Sequence, residues 1–274
     1  MQEMIYISSR SNPLVQRYAK LADKKYRESE RLFFVEGIKL SMEAVACGVP
    51  LEAVLLCEGR EEASRELLRH MRLLPAYVDT QCILLSESAF LKISTEKSPE
   101  GVICVAKHLD NLKFYNKIEK NDALQYADEK IMLLCSIRDP GNVGTIARSA
   151  VAFGFDRLIV SADCADPYSA RAMRASMGAF FKVKMDFVTE FGTVPEALCA
   201  VGRRVFCAEL RDGSVSLDTV EPARSDCFMI GNEGHGIPVE ISSLCTGSVY
   251  IPIAPNSESL NAAIAASILA FAQK

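Results

Sequence analysis

The hydrophobic positions of this chain fall into short runs set between longer stretches of helical spacing. In the N-terminal part, Leu32-Phe33-Phe34-Val35 predicts a buried strand, Val54-Leu55-Leu56 a second, and residues 101–106 a later one. Between them, residues 38–47 predict a helix closed by Gly48, and residues 63–71 predict another. Asn12-Pro13 is a helix start, with asparagine as the cap and proline at the first helical position. These elements predict a small α/β unit over residues 1–107. Residues 108–128 are mostly polar and lack sustained periodicity, which predicts a linker with room for a helical piece.

The pattern changes from residue 129 onward. Ile131-Met132-Leu133-Leu134-Cys135 is apolar throughout, as strands covered on both faces are. Further runs at 158–160, 181–185, 205–208, 227–230 and 249–253 predict strands, with helical segments between most of them. That order predicts a doubly wound parallel sheet over residues 129–274. The last segment, 260–272, is almost wholly apolar. It is expected to be buried on every face, against the sheet, a partner subunit, or both.

Composition narrows the picture. Of the 274 residues, 49% are hydrophobic, enough apolar surface for one large domain or two ordinary ones. A net charge of −4 does not advertise a polyanion partner, so a nucleic-acid reading needs a local basic face. Two stretches offer one: Arg10, Arg17, Lys20, Lys24, Lys25, Arg27 and Arg31 near the N-terminus, and Arg171, Arg174, Lys182 and Lys184 later on. Each is equally well an ordinary solvated face. The ten cysteines are scattered, with no C-x-x-C pair and no histidine clustered beside them, so no metal site is expected. They read as reduced thiols of a cytoplasmic protein. The N-terminus shows no signal peptide, and no apolar stretch reaches the roughly 18 residues that span a bilayer.

Three turns carry the candidate chemistry, each directly after an apolar run. The first is Asp139-Pro140-Gly141-Asn142-Val143-Gly144, with Arg148 following about one and a half helical turns on. Its glycines permit a sharp bend and close approach of backbone to a ligand. Asn142 reads either as a helix cap near Val143 or as a site residue, and Arg148 either as a solvated position or as a phosphate fork. The second is Gly231-Asn232-Glu233-Gly234-His235-Gly236. Such a glycine-rich turn can wrap an adenosine or ribose, and Glu233 can hold a hydroxyl or a cationic group. His235 as a general base is the weaker reading, because the other two histidines are far away in sequence. The third is Ile251-Pro252 followed by Ser257, Glu258, Ser259, Leu260 and Asn261. Here Ser257 or Ser259 is expected to cap the final helix. Gly141-x-x-Gly144 with Asp163 about twenty residues on also mimics a dinucleotide-binding arrangement, but the full G-x-G-x-x-G is missing. That reading leaves the other two turns unexplained.

Together the three segments resemble the signature motifs of the SpoU/TrmH branch of the SPOUT RNA methyltransferases. Gly141-Asn142-Val143-Gly144 with Arg148 is similar to the first motif, Gly231-Asn232-Glu233-Gly234-x-Gly236 to the second, and Ile251-Pro252 with Ser259-Leu260-Asn261 to the third. Arg174-Ala-Ser-Met-Gly-Ala, after an Asp166-Pro167 helix start, also looks like a family segment. Ser11-Asn12-Pro13 and Phe34-Val35-Glu36-Gly37 are similar to the family's small RNA-binding domain, so the resemblance covers nearly the whole chain. Pro255 departs from the pattern, standing where many members have glycine.

The resemblance implies a trefoil knot in the C-terminal domain, a homodimer, and S-adenosylmethionine as methyl donor. It implies methylation of a ribose 2′-hydroxyl in structured RNA, ribosomal RNA before transfer RNA. By the same resemblance Asn142, Arg148, Glu233, Ser259 and Asn261 are the catalytic set. Gly231, Ile251, Leu260, Glu209, Leu210, Asn232 and Gly236 are then the donor-binding set. Arg148 is expected to grip phosphate and stabilise the developing alkoxide, since its intrinsic basicity makes it a costly general base. An inert knotted RNA-binding protein and, more remotely, a nicotinamide-dependent oxidoreductase are the readings that compete.

Overall fold

A computed structural model describes residues 4–256 and 259–273. The chain divides into two compact units, the first made of residues 1–109 and 168–181, the second of residues 110–167 and 182–274.

The first unit contains β1 (Ile5–Ile7), α1 (Pro13–Ala19), α2 (Lys24–Glu30), β2 (Leu32–Glu36), α3 (Ile38–Ala46), β3 (Leu51–Cys57), α4 (Glu61–Arg72), β4 (Gln81–Leu85), α5 (Glu87–Ile93) and β5 (Val102–Lys107). Its sheet runs β1-β4-β3-β5-β2, with β5 antiparallel to both its neighbours. The Leu32-Phe33-Phe34-Val35 run is wholly buried in it, as its unbroken apolarity predicts. Asn12 caps α1 by accepting a hydrogen bond from the Leu14 N–H at 2.9 Å, and Pro13 opens the helix. Replacing Asn12 with alanine orphans that N–H and should lower stability by about 1 kcal/mol, read as a shift in the denaturant midpoint at constant slope.

In the second unit lie β6 (Leu112–Tyr115), α6 (Lys120–Leu124), β7 (Ile131–Leu134), α7 (Pro140–Ala152) and β8 (Arg157–Ser161). After an excursion bearing α8 (Ala170–Ser176), it continues with β9 (Lys184–Val188), α9 (Thr193–Ala200), β10 (Val205–Ala208), β11 (Val215–Ser216), β12 (Cys227–Ile230), α10 (Val239–Ser242), β13 (Gly247–Tyr250) and α11 (Ala262–Ala272). All eight strands are parallel, in the order β11-β13-β10-β12-β7-β8-β9-β6. The four residues of β7 are all buried, as a central parallel strand requires.

Several expectations need correction. The stretch read as a linker has the helical piece allowed for it, α6, opened by a Glu119/Asp122 capping box, but it also contains β6, an edge strand paired with β9. Polar Lys113 and the outward-facing Phe114 mask the strand, whose Phe114 ring stacks on Phe187 at 5.0 Å. Residues 168–181 pack with the first unit, although the sequence pattern runs on through them. Tyr168 stacks on His108 at 4.2 Å and accepts the Leu109 N–H at 2.9 Å, while Arg174 pairs with Glu96. Ser169, not the Asp166-Pro167 step, caps α8. The run at 181–185 is split between a 3₁₀ turn, Ala179–Phe181, and the start of β9. The last strand stops at Tyr250, short of Ile253. Helix α11 packs on α7 and β12 but is not buried all round, since Ile264 and Phe271 are 52% and 53% exposed.

The basic stretches are largely committed within the fold. Arg17 pairs with Glu30 and Glu52, and buried Arg27 donates to the Leu21 and Ala22 carbonyls. Lys24 pairs with Glu28, and Lys184 with Glu129. All ten cysteines are free thiols. Among the described residues no helix is long and apolar enough to cross a membrane, and no cluster of His, Cys, Asp and Glu is arranged to hold a metal ion.

Candidate functional site

In a parallel sheet every strand delivers its following loop to the same edge. The neighbours β13, β10, β12 and β7 therefore set four loops side by side at their carboxyl ends. Registers are level there: Ala208 lies opposite Val249, Cys207 opposite Met229, and Ile230 opposite Leu134. The loops after β10, β12, β13 and β7 carry Glu209-Leu210, the Gly231 turn, the Ile251 segment and the Asn142 turn respectively. Residues far apart in the chain thus become neighbours.

The first turn is built differently from the cap reading. Asp139 caps α7, accepting the Asn142 N–H at 3.0 Å, and Pro140 occupies the first helical turn. That releases the Asn142 side chain to join the other turns. Its amide donates to the Glu233 carboxylate, and its oxygen accepts from the Asn261 amide at 3.0 Å. The Asn261 oxygen in turn accepts the Ala263 and Ile264 N–H groups at 2.9 and 3.3 Å, capping α11. The orientation of each amide follows from chemistry. A carboxylate only accepts, so Asn142 must turn its NH₂ to Glu233 and its oxygen to Asn261. The helix N–H groups only donate, which fixes Asn261 the same way from the other end. Glu233, Asn142 and Asn261 form one polarised relay across all three turns. Glu233 and Asn261 are exposed at the surface, so the relay is open to a ligand.

Asn261, rather than Ser257 or Ser259, is the helix cap. Ser259 is exposed, and Ser257 and Glu258 lie outside the described residues. Arg148 is exposed on α7, and among the described residues no ion pair takes up its charge. Adjacent Ser149 exchanges a hydrogen bond of 2.7 Å with Ser267 of α11, tying the two helices together.

The second turn is held from within. Asn232 and Gly236 pair through both their backbone groups, at 3.1 and 2.9 Å, with Gly236 at φ +69°. The Asn232 oxygen accepts the Gly234 and His235 N–H groups at 2.9 and 3.1 Å and lies 3.2 Å from His235 Nδ1. Its amide donates to the Ser136 carbonyl at 2.9 Å. Asn232 is therefore engaged in shaping the turn, and His235 leans on it. Glu209 is similarly tied down, accepting from Ser248 at 2.9 Å and Arg211 at 3.1 Å. Leu210 is 79% exposed, while Ile251 and Leu260 are half-buried. Leu210 and Ile251 follow the neighbouring strands β10 and β13, so their loops adjoin.

Sequence reasoning missed Asp139 as the cap, and Ser136, whose φ of +57° is unusual for a serine. It met Asp163 only in the dinucleotide reading. Asp163 accepts from Ser161 at 2.6 Å and from Ser136 and Arg138 at 2.8 Å each. Burial opposes its charge, but those hydrogen bonds outweigh burial and hold the carboxyl below its ordinary value.

Residues 129–271, more than half of the chain, match the SpoU rRNA Methylase family. The chain belongs to that family. Residues 12–104 match the MRM3-like substrate binding domain. Among curated relatives, the chain is 27% identical to the 23S rRNA (guanosine(2553)-2'-O)-methyltransferase RlmP of Bacillus subtilis, over 98% of each chain. It is 30% identical to the 23S rRNA (uridine(2479)-2'-O)-methyltransferase of Streptomyces viridochromogenes, over 97% of this chain and 90% of that one. Among solved structures it resembles the AdoMet-bound rRNA methyltransferase from Sinorhizobium meliloti, with TM-score 0.79 and 27% identity over 98% and 97% of the two chains. Membership of the SpoU family fits the joining of all three turns, which the oxidoreductase reading leaves without a purpose.

Proposed function

We propose that this chain transfers a methyl group from S-adenosylmethionine to a ribose 2′-hydroxyl of ribosomal RNA. The observation that carries the reading is the Glu233–Asn142–Asn261 relay, set beside the loops after β10, β12 and β13. When bound, S-adenosylmethionine supplies an electrophilic methyl on a sulfonium, itself an excellent leaving group. The protein's tasks are to align O2′ and ease the loss of its proton. Leu210, Ile251 and Leu260 cover the adenosyl group, and backbone groups at Gly231 and Gly236 specify it. Glu209 and Asn232 hold those loops in shape through the hydrogen bonds described. Glu233 and Asn142 position the hydroxyl, and Ser259 passes on or positions its proton. Arg148 grips phosphate and stabilises the alkoxide charge.

Residues 1–107 serve as the RNA-binding domain, supported by the match to a substrate binding domain. The protein works as a homodimer. Ile264 and Phe271 lie seven residues apart on one face of α11, Phe271 meets Phe153 edge-on, and both are exposed apolar groups of the kind a second copy covers. Arg148 sits beside that surface, on the helix that α11 packs against, and reaches the partner's site. Knotted threading is supported by strand order, since β13 lies beyond β10 while the following α11 packs back on α7 and β12. Free thiols throughout support a reducing compartment, the cytoplasm.

The test is incubation with methyl-labelled S-adenosylmethionine and, separately, unmodified transcripts of ribosomal RNA and transfer RNA. The products are then digested to nucleosides. Label on a 2′-oxygen of the ribosomal RNA is expected. Label on transfer RNA alone would reassign the substrate, and label on a base would refute the chemistry.

A further inference from the structure

A cavity of about 460 Å³ opens at the carboxyl ends of β7, β8 and β9, in the second unit. Its lining comes from the ends of β7, β8 and β9 and from Ile241 of α10, whereas the donor loops follow β10, β12 and β13, so that Ser136 at the end of β7 and the Gly231 turn at the end of β12 are neighbours. Its walls are of two kinds. Phe191, Ile241 and Ala162 are apolar, while Asp163, Ser136, Ser161 and Thr189 are polar. The volume falls within the roughly 300–1,000 Å³ usual for small-ligand sites.

Ser136 builds the wall nearest the relay. Its left-handed backbone turns the N–H to Ser161 Oγ at 2.8 Å and lets the hydroxyl reach Asp163. Its carbonyl accepts from Asn232 of the glycine turn. Every polar group of Ser136 is engaged, so the cavity and the Gly231 turn share one rigid joint. The Asp163 oxygen Oδ1 accepts one hydrogen bond, from Ser161, and a carboxylate oxygen can accept two. Asp163 is already paired with Arg138 through Oδ2, and its Oδ1 can only accept, so an occupant that meets it presents an N–H or O–H donor alongside apolar faces. An unpaired nucleobase does both.

Resting on the methyltransferase reading, we infer that this cavity receives a nucleobase of the RNA substrate, an N–H of the base donating to Asp163. A ribose held at the relay would then have a base-reading pocket next to it, across Ser136 and the Gly231 turn. Asp163 acts here as a specificity-determining residue.

Two changes to the full-length protein test this. The double variant Ala162→Leu/Thr189→Leu fills the cavity at two exposed positions, without burdening the core. The second, Asp163→Asn, removes the negative acceptor. Three quantities are read: affinity for the ribosomal RNA transcript by filter binding at fixed salt, donor affinity by calorimetry, and labelled methyl transfer. Both variants should bind the RNA about tenfold more weakly, the scale of losing one stacked or hydrogen-bonded base. Donor affinity should stay within about twofold of the unaltered protein. RNA affinity unchanged in the cavity-filled variant would overturn the inference. So would an effect of Asp163→Asn alone, which would mean that Asp163 acts through Ser136 and the turn. A parallel loss of donor affinity would give the cavity to the donor instead, also against the inference. RNA affinity is read without turnover, so the two readings fail separately. An unaltered protein that binds the RNA but never methylates it would refute the proposed activity, while the two variants would still decide whether a base enters the cavity.

Discussion

Arg148→Ala is expected to abolish methyl transfer while leaving donor affinity within about twofold. The side chain stands exposed on α7, past the Asn142 turn, and among the described residues no ion pair takes up its charge. It therefore adds little to the fold, and removing it should leave the unfolding midpoint unchanged. In the reaction it meets charge that appears only as O2′ loses its proton. A preorganised cation at such a point is worth about 100- to 1,000-fold in turnover. Arg148→Lys should recover only part of that, because an ammonium cannot grip two phosphate oxygens at once. The loss should fall on kcat and on kcat/KM alike, the signature of an interaction made in the transition state. Loss of donor binding, by calorimetry with S-adenosylmethionine, would remove Arg148 from this role. A mixed dimer supplies the complementary measurement. Arg148→Ala paired with a donor-binding variant should regain one working site if the arginine reaches across, and none if it serves its own subunit.

Much of the fold is legible because burial on both faces writes itself as unbroken apolar runs. β2, β7 and β12 are all such runs, and each is a fully buried strand. β6 is hidden in the sequence because Lys113 and Phe114, on opposite faces of the strand, are both exposed, so no apolar run marks it. Segment 168–181 is illegible for a different reason. Its packing partners, Phe33, Glu96 and His108, are distant in sequence, and periodicity carries no record of which unit a helix joins. For α11, apolarity on every face leaves the choice between core and subunit interface open, and Ile264 and Phe271 mark the uncovered side. At the site, the motifs bring together Asn142, Glu233 and Asn261, but local chemistry misassigns two caps. An asparagine beside a helix start reads as its cap unless a better-placed aspartate takes the N–H groups first, as Asp139 does. Conversely Asn261 both caps a helix and joins the relay, because its two amide atoms serve different partners.

The sharpest test of the glycine turn is Gly231→Ala. A methyl at this position would lie 2.6 Å from Ile237 Cγ1, 2.7 Å from the Gly236 carbonyl carbon and 2.8 Å from the Ile237 nitrogen. Two of those atoms are backbone, so no rotamer change relieves the clash. The chain returning through Gly236 and Ile237 must move outward, and with it the paired hydrogen bonds between Asn232 and Gly236. Asn232 also holds Gly234, His235 and Ser136, and Glu233 beside it anchors the relay, so one methyl disturbs the whole second turn. Overpacking of this kind destabilises by about 1–3 kcal/mol. The functional loss should be larger, since a displacement of about 1 Å at a reacting centre costs about 100-fold in rate. Donor affinity should fall as well, which separates this variant from Arg148→Ala. Gly234→Ala is the matched control for the fold. Its added methyl would meet only Asn232 Oδ1 at 3.6 Å, an ordinary contact, and should leave the unfolding midpoint where it was. If Gly231→Ala kept full stability and donor affinity, the turn would be free to rearrange, and close packing of its two limbs would not be what shapes the donor site.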